Sequence, residues 1–202
     1  EKAVELTQLT LLTEDREGAV ITKGIEGQTR YYNGEEYTYS APANLHINYQ
    51  EKKNQTVYTI RLREDIVFGD DRPMTVDDVI FSIYAFCDTS YQGGETLGEQ
   101  NIMGLREYRR GKANKISGII RVNDYKLRII TKGYHQSTMD ALDIPICPLH
   151  FYGNAKKYNY EKSQFGFEKG NISSLTKKKN EPMGAGAYNF IKFESGIIYY
   201  EA

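Results

Sequence analysis

Pro73-Met74-Thr75-Val76-Asp77-Asp78-Val79-Ile80-Phe81-Ser82 marks the start of a helix and sets its direction. Pro73 cannot lie inside a helix, because it lacks an N–H and its ring clashes with the preceding turn. Thr75 stands at the N-cap position and Asp78 follows three residues later, the spacing of a capping box. Asp77 and Asp78 fall in the first turn, where the helix dipole favours negative charge. Val76, Val79, Ile80, Ile83 and Phe86 or Cys87 then recur at i, i+3, i+4 and i+7, one apolar stripe over about three turns. Burying five such side chains contributes on the order of 10 kcal/mol before chain entropy is subtracted.

Strand signals lie on either side of this helix. In Val57-Tyr58-Thr59-Ile60-Arg61-Leu62-Arg63 the residues Tyr58, Ile60 and Leu62 share one face, and Thr59, Arg61 and Arg63 share the other. That alternation predicts a half-buried strand, paired with Ile47 to Tyr49 across a polar loop. Downstream, Ile116 to Val122 and Tyr125 to Ile130 flank Asn123-Asp124. Both of those residues tolerate positive φ, which predicts a two-residue hairpin. Asn33-Gly34 is a second hairpin signal, inside β-prone pieces over residues 19–40. Residues 3–12 mix helical and strand periods and read as a short helix or turn running into a strand. Leu105 to Lys112 reads as a short helix closed by Gly111, and residues 136–144 as another. Pro145 and Pro148 exclude an interior strand over 144–148. Gly184 to Phe193 reads as glycines feeding a strand. The combination predicts an α+β unit with mixed or antiparallel sheets and packed helices.

The chain has 202 residues, enough for one large domain or two small ones. Its 26 Lys+Arg against 27 Asp+Glu give a net charge of -1, which argues against a dedicated nucleic-acid binder. The 40% of hydrophobic residues suffice for a core and exclude a disordered chain. No stretch approaches the roughly 18–20 consecutive apolar residues of a membrane helix. The 17 Tyr suit strands as well as wet surfaces. The N-terminus lacks signal-peptide features and an initiator Met, so a mature protein or a piece of a longer one is expected. The apolar run from Ile197 to Tyr200, at the other end, points the same way.

Catalytic and metal signals are sparse. Cys87 and Cys147 have apolar neighbours and read as two buried thiols, not a disulfide scaffold. His46, His135 and His150 are far apart with no zinc spacing, so no metal site and no cofactor are expected. Gly184-Ala185-Gly186 is too short for a dinucleotide fingerprint, which needs a third glycine and a following helix. Asp70-Asp71 sits in a turn and Asp77-Asp78 in a helix N-terminus. Both pairs have a structural explanation beside general acid–base work. Lys177-Lys178-Lys179 reads as a solvated face. No catalytic residue is assigned.

Three segments, in order, resemble the family 5 extracellular solute-binding proteins, the oligopeptide-, dipeptide- and nickel-binding receptors of ABC importers. The first runs from Val57 to Phe68, then Asp70 and Pro73 to Ser82. It is similar to a family strand of the pattern Thr-Phe-x-Leu-Arg followed by Asp-Gly-x-Pro-x-Thr-Ala-x-Asp-Val-x-Phe-Ser. The second joins Ile116-Ser117-Gly118 and Val122 to Leu127 with Ile146 to Tyr152, and looks like the family's Pro-Lys-His stretch with Leu149 in place of lysine. The third, Pro182-Met183-Gly184-Ala185-Gly186-Ala187-Tyr188, resembles Pro-Val-Gly-Thr-Gly-Pro-Tyr. The sequence departs from the pattern at Asp71-Arg72, where Asp-Gly is usual. That turn must avoid positive φ or carry strain. Ala187 replaces a proline.

The resemblance implies a fragment from the N-terminal half of such a receptor, part of a class II periplasmic-binding-protein-like lobe. Residues 1–45 would be the edge of the first ligand-binding lobe running into an inserted domain, 46–181 that accessory domain, and 182–202 the return to the lobe. The two ends should then lie close together. The implied function is solute capture for an ABC importer, most often of oligopeptides or dipeptides, with permease and ATPase subunits as partners. A peptide-sensing signalling module is the alternative reading, and a hydrolase the weaker one. The implied location is extracytoplasmic, periplasmic or lipid-anchored, with the membrane met only through a partner or an anchor. Gly184, Ala185, Gly186 and Tyr188 would lie near the ligand cleft. Glycines there let backbone approach a ligand closely, or make a tight turn into a strand.

Overall fold

The structure is a computed structural model that describes residues 6–94, 96–178 and 180–202. A first hairpin joins β1 (Gln28–Tyr32) and β2 (Glu35–Tyr39) through Asn33-Gly34. Both turn residues have positive φ, at 50° and 81°, as the Asn-Gly pair predicts. The main sheet holds β3 (Ala43–Gln50), β4 (Gln55–Leu62), β5 (Ile119–Asn123) and β6 (Lys126–Lys132) in the order β3-β4-β6-β5. Among the described residues every strand pairing is antiparallel. Thr56, Tyr58, Ile60 and Leu62 of β4, and Leu127, Ile129 and Thr131 of β6, point into the core. The alternation along 57–63 is that of the sequence.

The β5–β6 turn differs from its expected form. The strands pair Asn123 with Lys126, so Asp124-Tyr125 makes the turn, and neither has positive φ. Asn123 Oδ1 instead accepts the Tyr125 N–H at 3.0 Å, an Asx turn. A register shift between Arg121 and Asn123 absorbs the mismatch with the strand twist. Residues 6–12 differ as well. They form a turn and an extended segment with one isolated bridge, Thr10 to Pro145, and neither a helix nor a regular strand. Leu11 donates to Ile144 and Ile146 donates to Leu9, so both backbones find partners without a ladder. Residues 3–5 lie outside the described ones.

Helix α1 (Val76–Cys87) starts and ends where the sequence predicts. Thr75 Oγ1 accepts the Asp77 N–H at 3.2 Å, and Asp78 Oδ2 accepts the Thr75 N–H at 3.0 Å. The helix is buried nearly all round, which a single apolar stripe does not convey. Val76, Val79, Ile80 and Ile83 face the main core, while Phe81 and Tyr84 face the segment over 155–167. Tyr84 stacks on Phe165 with centroids 3.4 Å apart and accepts the Ile116 N–H at 2.8 Å. The polar positions are satisfied inside: Ser82 donates to Asp78 O and accepts the Cys147 N–H, both at 2.8 Å. Cys87 is a buried free thiol that burial pushes up to about 12.

Short elements complete the chain: α2 (Leu105–Arg109), α3 (Gln136–Ala141), α4 (Leu149–Tyr152), β7 (Tyr158–Asn159), β8 (Gln164–Phe165) and α5 (Ser173–Thr176). A last hairpin pairs β9 (Asn189–Glu194) with β10 (Ile197–Glu201) through Ser195-Gly196, again with positive φ at both turn residues. Asp71 takes φ 64° in the turn between Phe68 and Arg72. The left-handed residue is Asp71 and not Arg72, and an aspartate tolerates that region better than most residues.

Two stability outcomes follow from buried carboxylates. Asp78 supplies the acceptors for two backbone N–H groups, Thr75 and, at 2.9 Å, Leu149. Asp78→Ala is expected to lower unfolding stability by about 2–4 kcal/mol, read as a lower urea midpoint. Burial raises the Asp143 carboxyl above its ordinary 3.8, beside Glu14, which Asp140 and Asp143 also raise. A group raised on folding contributes most below its unfolded value and loses that contribution as pH rises through its folded value. Asp143→Asn, neutral at every pH, should therefore be more stable than the natural chain at pH 7. That advantage should shrink as pH falls toward 4 in parallel urea titrations.

Candidate functional site

The glycines at 184 and 186 are explained first by the chain itself. Gly186 N–H donates to Thr7 O at 3.0 Å, and Tyr188 N–H donates to Leu6 O at 3.3 Å. Gln8 Nε2 donates to Met183 O at 3.0 Å. A Cβ at Gly186 would lie 2.6 Å from Leu6 O, and one at Gly184 would collide with Thr7 O. Neither glycine has positive φ. Both are needed because two backbones touch, not because the turn is left-handed. Residues 6–8 and 183–188 are thus hydrogen-bonded neighbours.

This strap is held from its other side by α4. Tyr152 OH accepts the Met183 N–H at 3.1 Å, and burial pushes the Tyr152 phenol up to about 12. Gly69 N–H, in the turn before Asp71, donates to Gly184 O at 3.0 Å. Between the strap, that turn and β9 lies an open cleft of about 520 Å³. Phe151, Pro182, Met183 and Phe190 give it an apolar wall, with Thr7 and Asn189 as polar groups. Gly184 and Tyr188 line it. Ala185 instead packs against the core, and Gly186 faces Leu6 and Thr7.

The cleft continues into a hairpin that exposes apolar side chains on both faces, one of which also carries the Lys192–Glu194 ion pair. Phe193 and Ile198 are cross-strand neighbours on one face, and both are exposed, Phe193 to 64%. On the other face Lys192 sits 5.0 Å over the Tyr199 ring, and Tyr200 meets Tyr188 and Phe190 edge-on. A strand pair of this composition normally has cover on both sides. The residues that sequence reasoning missed are Phe151, Asn189 and Phe190. Lys192 and Glu194 alternate with Ile191 and Phe193, but the unbroken run Ile197 to Tyr200 was an available signal for two-sided contact.

The paired aspartates do not join the cleft. Asp77 takes a bidentate ion pair from Arg121 at 2.8 and 3.0 Å and a hydrogen bond from Tyr158 at 2.7 Å. That contact holds β5 and β7 to the start of α1, and burial beside Asp77 raises the Tyr158 phenol strongly. Asp70 pairs with His150 Nε2 at 2.8 Å. Among the described residues no group of three His, Cys, Asp or Glu side chains could hold a metal ion. No described helix is long and apolar enough to cross a membrane.

The family described as Bacterial extracellular solute-binding proteins, family 5 Middle, matches residues 42–201. The chain belongs to this family. Its fold is shared with solved structures of low sequence identity. The oligopeptide-binding protein AppA from Bacillus subtilis, in complex with a nonapeptide, superposes with a TM-score of 0.61 at 17% identity, over 98% of this chain and 30% of that one. OppA from Haemophilus influenzae, complexed with RPPGFSPFR, gives 0.60 at 17% identity, over 99% and 33%. NikZ from Campylobacter jejuni, in complex with Ni(L-His), gives 0.53 at 19% identity, over 98% and 30%. The chain thus spans about a third of the length of these family 5 relatives. No curated protein matches it by sequence.

The strap geometry can be tested directly. Gly184→Ala forces a methyl group into the Thr7 carbonyl and should cost about 1–3 kcal/mol of stability. Gly94→Ala, where nothing lies within 4 Å, should leave the urea midpoint unchanged.

Proposed function

We propose that this chain is part of the extracytoplasmic solute-binding component of an ABC importer, with oligopeptides or dipeptides as its cargo. The cleft at Gly184 and Tyr188 would form one wall of the binding site. The observation that carries the reading is the coincidence of that cleft with a hairpin that exposes apolar side chains on both faces. A peptide needs apolar walls for its side chains and backbone groups for its amides, and the cleft offers both. The matched relatives with bound peptides are about three times longer, which leaves them ample polypeptide for an opposing wall.

In this reading residues 46–181 are an accessory domain inserted into the first lobe, and 1–45 and 182–202 are the edges of that lobe. The hydrogen bonds between residues 6–8 and 183–188 support a shared lobe for the two ends. Gly184 and Tyr188 would touch solute, while Ala185 and Gly186 would hold the strap in place. Closure of two lobes around the solute would create the form that the permease recognises. The ATPase would drive transport, so the chain would need no catalytic residue. The location would be periplasmic or lipid-anchored on the outer face of the cytoplasmic membrane.

One wall alone supplies only part of a ligand's contacts, and association must first overcome the lost freedom of the partners. A nonapeptide titrated calorimetrically into the 202-residue chain is therefore expected to give no binding heat. The complete receptor carrying this chain should bind it, and Tyr188→Ala in that receptor should weaken binding about tenfold or more. Micromolar affinity in the isolated chain, or unchanged affinity in the Tyr188→Ala receptor, would overturn the proposal.

A further inference from the structure

The charge of the chain is segregated on its surface. Residues 105–115 carry Arg106, Arg109, Arg110, Lys112 and Lys115 against Glu107 alone. Residues 155–169 carry Lys156, Lys157, Lys162 and Lys169 against Glu161 and Glu168. Together the two segments hold a charge of +6 on a chain whose net charge is -1. The fold brings the two segments into contact, and Arg106 extends the basic surface to Lys53 and Lys132. Lys169 Nζ reaches across to donate to Ala113 O at 3.0 Å and sits 4.0 Å over the Tyr108 ring. Lys115 Nζ lies 3.4 Å over the Tyr160 ring. Lys157, Lys162 and Lys169 surround a depression of about 410 Å³ that shares no residue with the solute cleft.

Among the described residues none of these nine cations is in an ion pair. Elsewhere some arginines are closely paired, as Arg121 with Asp77 and Arg63 with Asp65. Most of the face is lysine, a mobile point charge, and not arginine held in a bidentate fork. Such a layer suits a fluid array of phosphates better than the fixed carboxylates of a protein partner, which favour arginine geometry. The family is extracellular, so the anionic surface available at the importer is the outer face of the cytoplasmic membrane.

We propose that this basic face docks directly on an anionic phospholipid surface. The contact is independent of the solute cleft and goes beyond the solute-binding reading. Attraction of this kind adds up over basic side chains near the surface and is screened within about 10 Å at 0.1 M salt. The test is co-sedimentation with vesicles of phosphatidylcholine, alone or with about one third phosphatidylglycerol. The natural chain should bind the anionic vesicles at low salt, bind neutral vesicles at least tenfold more weakly, and be released at high salt. Lys112, Lys157 and Lys162 are exposed, and Lys112→Glu, Lys157→Glu, Lys162→Glu together bring the face to zero charge. This variant should lose at least tenfold in partitioning. Lys23→Glu, Arg61→Glu, Lys192→Glu changes the net charge equally from other exposed positions and should lose far less. Equal binding to both vesicle types, no binding to anionic vesicles, or equal losses in the two variants would overturn the proposal. The salt titration needs no substitution, so a variant that folds poorly leaves the test decisive.

Discussion

One buried carboxylate ties the helix to the wall of the cleft. Asp78 accepts the Thr75 N–H with one oxygen and the Leu149 N–H with the other. The first bond closes the cap of α1, and the second sets where α4 begins. Phe151 and Tyr152 follow from that point, one on the cleft and one holding Met183. Burial, with the Asp77 charge beside it, raises the Asp78 carboxyl above its ordinary value, and the two N–H donors pull in the opposite direction. The carboxylate is tolerated because both oxygens have donors that would otherwise be orphans at a helix start.

The same economy of contact appears at the strap. Four hydrogen bonds join residues 183–188 to residues 6–8 and to α4, across almost the full length of the sequence. Because the backbones touch, side chains are excluded at 184 and 186 and the strap cannot drift toward the cleft. Its position is then set by the protein and not by a ligand. In the proposed receptor, a wall fixed in this way would lower the ordering cost of binding.

The elements with strong local codes were legible in the sequence. Pro73, Thr75 and Asp78 located α1 to the residue, and the alternation from Tyr58 to Leu62 gave the buried face of β4. Asn33-Gly34 gave its hairpin because only a left-handed turn joins those strands. The β5–β6 turn was misplaced by one residue, since an Asx bond and a bulge replaced the left-handed turn that Asn123-Asp124 suggests. The second buried side of α1 was hidden, because the residues covering it, Phe165 and Phe167, lie in a polar stretch some 80 positions away. Of the site, Gly184 and Tyr188 were found through a family motif. Phe151 was invisible, because its place depends on the Asp78–Leu149 bond across 71 positions.

Two surfaces of this chain differ in what could cover them. The β9–β10 hairpin exposes apolar side chains on both sides, so it gains from contact with other polypeptide by removing apolar area from water. The face of residues 105–115 and 155–169 is charged, and burying it in protein would require a carboxylate for each ammonium or a large desolvation cost. Contact with phosphates at a wet bilayer surface avoids that cost, because the ammonium groups stay hydrated while their field is neutralised. The two surfaces share no lining residue. A lobe closing over the hairpin would therefore leave the basic face open, and a receptor could meet the membrane with one surface while it holds a solute with the other.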